Sequence, residues 1–340
     1  MRPGRADRGA AVGSARRKRT PRMPSPTRLL LWHDNAAPYL DAIAAAGLSE
    51  RVRAEALPRK ESPSAGQMAG TEALLGWGVP AGLLPRMPRL RWAQSLTAGV
   101  EGWLALPDLP PGLTLTCARG THGESMPENI LGALFHIAKP YAAIAEAQKS
   151  SRWARQVAMP LNGKVLGILG LGAIGQEVAR LAMALRMEVI GTRRDPAPLP
   201  GVEVLPPDRT DEVLARADFV VLLLPSTAET EDFMDAARLA RMKPGAWLLN
   251  FGRGNAIVDA DLVAAVTRKR IAGAVLDVFR EEPLPASHPF WTTPGILVVP
   301  HMGGMHPDRD KVVARLFVDN LARFLDGQPL RQVVDRGRGY

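Results

Sequence analysis

Three residues able to cooperate in proton and charge transfer stand at short intervals late in the chain: Arg253, Glu282 and His301, separated by 29 and 19 positions. Each follows an apolar run, in NFGRG, LDVFREEP and VVPHMGG. A histidine exchanges a proton near neutral pH, so it can protonate an oxygen on which negative charge develops. A carboxylate bonded to its other ring nitrogen would favour the imidazolium. An arginine offers a planar, permanently charged fork that fits a carboxylate. Together the three suit hydride reduction of a carbonyl that lies beside a carboxylate. Glu281 competes with Glu282 for the acidic role, and the spacing with the following Pro283 favours Glu282. A lone histidine at a strand end is more often structural, but company reverses that weighting for His301. His33, His122, His136, His288 and His306 lack such company and are assigned no catalytic role.

A second constellation is the run Gly170-Leu171-Gly172-Ala173-Ile174-Gly175, placed between an apolar strand at 164–169 and a helical segment at 173–186. Glycines are needed where a chain turns sharply and lets its backbone approach a pyrophosphate, while the helix N-terminus supplies unpaired N–H groups and a favourable dipole. The pattern alone is weak; its position inside a strand–loop–helix unit makes it a dinucleotide fingerprint. After the next strand the chain reads Thr192-Arg193-Arg194-Asp195. An acid there would bond the adenosine ribose, whereas arginine accepts a 2′-phosphate. Arg193 and Arg194 therefore favour NADP, and Asp195 keeps NAD open. Pro225 and Thr227 are expected to line the cofactor cleft, and Asp277 to contact the cofactor near its nicotinamide.

The elements that must carry these residues follow an alternating β/α rhythm. Near-continuous apolar strands are predicted at 164–169, 187–191, 218–224, 246–251, 271–276 and 295–299, as in a parallel sheet covered on both faces. Helices are predicted at 173–186 and 259–269. An earlier α/β unit shows strands at 28–32, 73–76 and 90–94 and a helix at 38–47. Residues 124–149 read as a long helical stretch that Pro140 must break. A last helix near 308–326, after the Gly303-Gly304 break, returns the chain to the first unit. The expected organisation is an α/β protein of two domains. A Rossmann dinucleotide-binding domain spans 123–302, and a discontinuous substrate-binding domain is assembled from 26–122 and 303–340.

The formal net charge of +9 invites a nucleic-acid reading, which its distribution removes. Residues 1–28 carry nine Lys or Arg against one acid, Asp7, so the remaining chain is close to neutral and no basic groove is expected. Residues 1–25 lack apolar periodicity and are expected to be a disordered basic tail. Residues 1–22 are either a true tail or an over-long start ahead of Met23. No apolar run is long enough for a membrane span, and the tail has no apolar core segment, so no secretory signal and a cytoplasmic location are expected. The single cysteine, Cys117, excludes an internal disulfide and a multi-cysteine zinc site, and no metal is expected.

Several motifs occur in one order: GLGAIG at 170–175, LLLPSTAET at 222–230, NFGRGNAIVDADL at 250–262, LDVFREEPLP at 276–285 and VVPH at 298–301. Over residues 28–340 the chain resembles the D-isomer-specific 2-hydroxyacid dehydrogenases. The closing VVDRGRGY and the paired arginines resemble the glyoxylate/hydroxypyruvate reductase branch. The resemblance implies a flavodoxin-like substrate domain, NADPH-preferring reduction of small 2-keto acids, and a homodimer formed through the cofactor domains and the helix near 124–149. It further implies that the backbone N–H groups of Ala98, Gly99 and Val100 hold the substrate carboxylate, so that closure of two domains completes the site. Phe251 replaces a small residue and Asn129 a larger ring of the family pattern, which puts cofactor packing and the interdomain helix in question. Trp103 and Trp291 are candidates for either pocket or core. A formate dehydrogenase of the same fold would carry an amide at Glu282. The alternative from another class is a dinucleotide-sensing, corepressor-like binding protein.

Overall fold

The computed structural model describes residues 25–339, so the basic tail expected at 1–25 lies almost wholly outside the described residues. The chain opens with β1 (Thr27–Trp32), α1 (Ala37–Ala45), β2 (Val52–Leu57), α2 (Ala65–Gly70), β3 (Ala73–Gly76), β4 (Trp92–Ser95), α3 (Glu101–Leu104) and β5 (Thr114–Thr116). These strands make one parallel sheet in the order β2-β1-β3-β4-β5. That is the doubly wound, flavodoxin-like order. β3 and β4 are buried at every position because helices and loops cover both faces.

Two helices follow, α4 (Ser125–Ala138) and α5 (Tyr141–Lys149). The break falls at Pro140, as the ring requires, with Lys139 before it held extended (φ −118°, ψ 132°). The second unit then runs β6 (Val165–Leu169), α6 (Ala173–Ala184), β7 (Glu188–Thr192), β8 (Val202–Leu205), α7 (Thr210–Arg216), β9 (Phe219–Leu222), α8 (Ala236–Leu239), β10 (Trp247–Asn250), α9 (Asp259–Thr267), β11 (Gly273–Leu276) and β12 (Ile296–Val298). Its seven strands are parallel and ordered β12-β11-β10-β9-β6-β7-β8. This is the Rossmann order with one strand added, and it reverses between β6 and β9, where open α/β sheets bind ligands.

The final helix α10 (Arg309–Leu325) packs on the first sheet, burying Val313, Ala314, Phe317 and Leu321 among Leu29, Leu31 and Tyr39. Phe317 stacks on Trp92 with ring centroids 5.4 Å apart. The last segment pairs antiparallel with β5 through Thr116 and Val333. The chain thus returns to the sheet it began with. Among the described residues no helix is long and apolar enough to cross a membrane.

Candidate active site

His301 follows β12 in a turn that forces it to φ +49°, a left-handed conformation costly to a residue with a Cβ. The turn is held from below. Asp277, at the end of β11 and wholly buried, accepts from Met302 N at 2.8 Å and from Gly303 N at 3.0 Å. Burial raises the Asp277 carboxyl above its usual range, while these two amides and His301 pull it down. The turn aims Nδ1 of His301 at Glu282, whose Oε2 lies 2.6 Å away. The other oxygen of Glu282 accepts from Phe279 N at 2.9 Å, which fixes the carboxylate. Nε2 of His301 is left for a ligand, on a side chain 54% exposed.

Arg253 sits in the turn after β10. Wholly buried Asn250 builds that turn, donating to Arg253 O at 2.9 Å and accepting from Gly252 N at 3.1 Å. A Cβ at Gly254 would collide with the Phe279 backbone, so only glycine lets this turn rest against the one that holds Glu282. The guanidinium donates through Nη1 to Gly252 O at 2.7 Å and through Nε to Glu101 Oε1 at 2.7 Å, reaching from one sheet unit to the other. A Cβ at Gly99 would collide with Arg253 Nη2. Arg253 is therefore brought against the loop of Ala98, Gly99 and Val100. Among the described residues none of those three N–H groups donates to a protein acceptor. Thr97 Oγ1 shapes the loop by donating to Gly99 O at 2.5 Å, and Arg309 supports it from α10 by donating to Leu96 O.

The glycine loop lies at the point where the second sheet reverses. Gly170 adopts φ +110°, and a Cβ there would come within 2.8 Å of Leu223 O at the end of β9. Gly175 must be glycine because a Cβ would collide with the Gly170 carbonyl. Gly172 caps α6 with no side chain, and a Cβ there would meet nothing within 4 Å. Open space thus faces the first turn, Ala173 and Ile174, whose N–H groups have no intrahelical partner. These residues fit a pyrophosphate. Arg193 and Arg194 leave β7 on the same side of the sheet, Arg194 pairing with Glu229 at 2.9 Å. Pro225 and Thr227 begin the loop after β9, tied by Thr230 Oγ1, which donates to Pro225 O at 2.6 Å.

Other sequence candidates find structural places. Phe251 is buried, and its ring packs against Gly303. Asn129 donates to Gly303 O at 3.0 Å, tethering α4 to the His301 loop. Trp103 is core, whereas Trp291 is half-exposed and donates to Pro285 O at 2.9 Å. Sequence reasoning missed Glu101 and the anchoring tasks of Asp277 and Arg309. Glu101 had one available signal, its place immediately after the loop expected to hold the carboxylate.

Comparison with known proteins bears on the family and the fold. Residues 131–303 match the family model of the D-isomer specific 2-hydroxyacid dehydrogenase NAD binding domain. The chain is 32% identical over 291 residues to glyoxylate/hydroxypyruvate reductase B of Pectobacterium carotovorum, an alignment covering 83% of this chain and 90% of that one. A D-isomer specific 2-hydroxyacid dehydrogenase family protein from Aeromonas salmonicida superposes with TM-score 0.84 at 35% identity, over 92% of this chain and 100% of that one. The NADPH-dependent glyoxylate/hydroxypyruvate reductase of Sinorhizobium meliloti, solved with NADP and sulfate, superposes with TM-score 0.80 at 28% identity, over 92% and 100%.

Proposed function

Because this chain belongs to the D-isomer specific 2-hydroxyacid dehydrogenase family, we propose that it reduces small 2-keto acids to 2-hydroxy acids. Glyoxylate and hydroxypyruvate are the leading substrates, NADPH is the preferred cofactor and NADH a poorer one. The observation that carries the reading is the His301–Glu282 pair at 2.6 Å, which leaves Nε2 open for a ligand on a side chain that is 54% exposed. When bound, the nicotinamide supplies a hydride to the keto carbon. Arg253 and the N–H groups of Ala98, Gly99 and Val100 hold the carboxylate and orient the carbonyl. His301 donates a proton from Nε2 to the carbonyl oxygen as charge builds there, Glu282 keeping the ring in place, and the exposed ring regains its proton from solvent. Gly170, Gly172, Ala173, Ile174 and Gly175 would hold the pyrophosphate, Arg193 and Arg194 the 2′-phosphate, and Pro225 and Thr227 would line the cleft. The NADP complex of the Sinorhizobium reductase supports the cofactor choice.

The test is loss of NADPH and NADH absorbance with a panel of small 2-keto acids. Turnover of glyoxylate or hydroxypyruvate, faster with NADPH, is expected; tight cofactor binding without any turnover would favour the dinucleotide sensor instead. The domain boundaries belong at 122/123 and 302/303. A homodimer is part of the same proposal, supported by apolar side chains exposed on α4, α5 and the segment after them. Trp153 is 88% and Val157 97% exposed, and Phe135, Tyr141 and Ile144 join them. Light scattering reporting a single chain at micromolar concentration would sink the dimer.

A further inference from the structure

We infer that Glu101 is an internal stand-in for the substrate carboxylate, occupying the Arg253 fork until a 2-keto acid displaces it; this rests on the reductase reading above. Glu101 is the first residue of α3, directly after the loop expected to hold the carboxylate. Its Oε1 accepts from Arg253 Nε at 2.7 Å. Its Oε2 would lie 2.6 Å from a Cβ built on Gly99, a point at which Arg253 Nη2 would also collide. Oε1 therefore holds the Nε end of the Nε–Nη2 edge, and Oε2 lies over the Gly99 backbone on the side that Nη2 also approaches. The opposite side of the fork is taken by the Gly252 carbonyl through Nη1. A planar carboxylate seeking a two-pronged bond to Arg253 finds the Nε prong of that edge already bonded to one of its own kind.

The pair is built to exchange. Arg253 is the only hydrogen-bond or ion-pair partner of the Glu101 carboxylate among the described residues. The side chain is 40% exposed, so on displacement it swings into water with little desolvation to recover. Two carboxylates cannot share one edge without repelling each other, so every entering acid must evict Glu101. The residue thereby weakens ground-state binding and sets KM, leaving the bound geometry, and hence kcat, to the groups named above.

The experiment compares the wild-type protein with Glu101→Gln, isosteric but uncharged, and Glu101→Ala. An exposed pair of this kind contributes little, so KM for glyoxylate should fall about two- to fivefold in both variants. Little change is expected in kcat or in KM for NADPH. Calorimetry with oxamate, an unreactive 2-keto acid mimic, on the NADPH-loaded protein should show Kd falling by the same factor. A KM and oxamate Kd that stay unchanged or rise would overturn the inference, since a residue that merely orients Arg253 would weaken binding when lost. A wild-type protein that reduces no keto acid would defeat the reductase reading instead, and the oxamate ratio between variant and wild type would still decide the role of Glu101.

Discussion

Replacing Asp277 by alanine separates two roles for a residue that looks, by position, like a cofactor contact. The side chain is wholly buried and accepts from Met302 N at 2.8 Å and from Gly303 N at 3.0 and 3.1 Å. Removing it strands the buried amide of Gly303, worth about 1–3 kcal/mol, and frees the part-buried amide of Met302, so the local structure loses at least about that much. The neighbouring His301 is held at φ +49°, a conformation that persists only where its surroundings enforce it. Released, the turn relaxes and the imidazole moves off Glu282. A displacement of about 1 Å at a reacting group costs about a hundredfold in rate. Steady-state kinetics with glyoxylate should therefore show kcat falling by about that factor in Asp277→Ala. The dissociation constant for NADPH, read by fluorescence quenching, should change little, and the melting temperature should drop. A variant that binds NADPH far more weakly yet keeps its kcat at saturation would refute the anchoring argument and make Asp277 a cofactor contact.

Loss of both Arg193 and Arg194 to alanine should raise KM for NADPH by about tenfold or more, since charge-assisted bonds to phosphate are each worth about 1.5–3 kcal/mol, while KM for NADH stays within about twofold. Equal effects on both cofactors would show that the pair does not read the 2′-phosphate. His122, between the two units, has its pKa lowered from 6.5 to about 4, chiefly by burial and then by the charges of Arg309, His306 and Arg253. Since the folded value lies below the unfolded one, the unfolded chain takes up the proton first, and stability present above about pH 6.5 is lost as pH falls toward 4. The loss is at most about 3 kcal/mol and should disappear in His122→Asn, as read by melting temperature against pH. An identical acid slope in both proteins would remove His122 from the account.

The sequence was most legible where burial is two-sided. The strands β6, β9, β10 and β11 read as unbroken apolar runs because helices cover both their faces. The strands β2, β5 and β8 escaped, and all three lie at sheet edges. In β2 and β8, VRAEAL and VEVL, charged residues interrupt the apolar run because one side meets water, and β5, TLT, is only three residues long. The same division holds in the site. The roles proposed for Arg253, Glu282 and His301 follow from residue type, and the glycines from backbone close to a neighbour. What could not be read were relations made by folding. Nothing in the type of Asp277 says that its oxygens face two amides 25 and 26 residues onward. Nothing local says that Glu101 meets an arginine 152 positions away. The departures at Phe251 and Asn129 likewise find their places only in the fold, where one packs in the core beside Gly303 and the other bonds its carbonyl.

The central claim is that Nε2 of His301 supplies the proton, and His301→Asn tests it most directly. Asparagine tolerates the left-handed backbone this turn requires, so the substitution removes the imidazole and spares the loop. With glyoxylate and NADPH, kcat should fall by about a hundredfold to ten-thousandfold, the range for a lost general acid, with NADPH binding unchanged. Full turnover in His301→Asn would contradict the account.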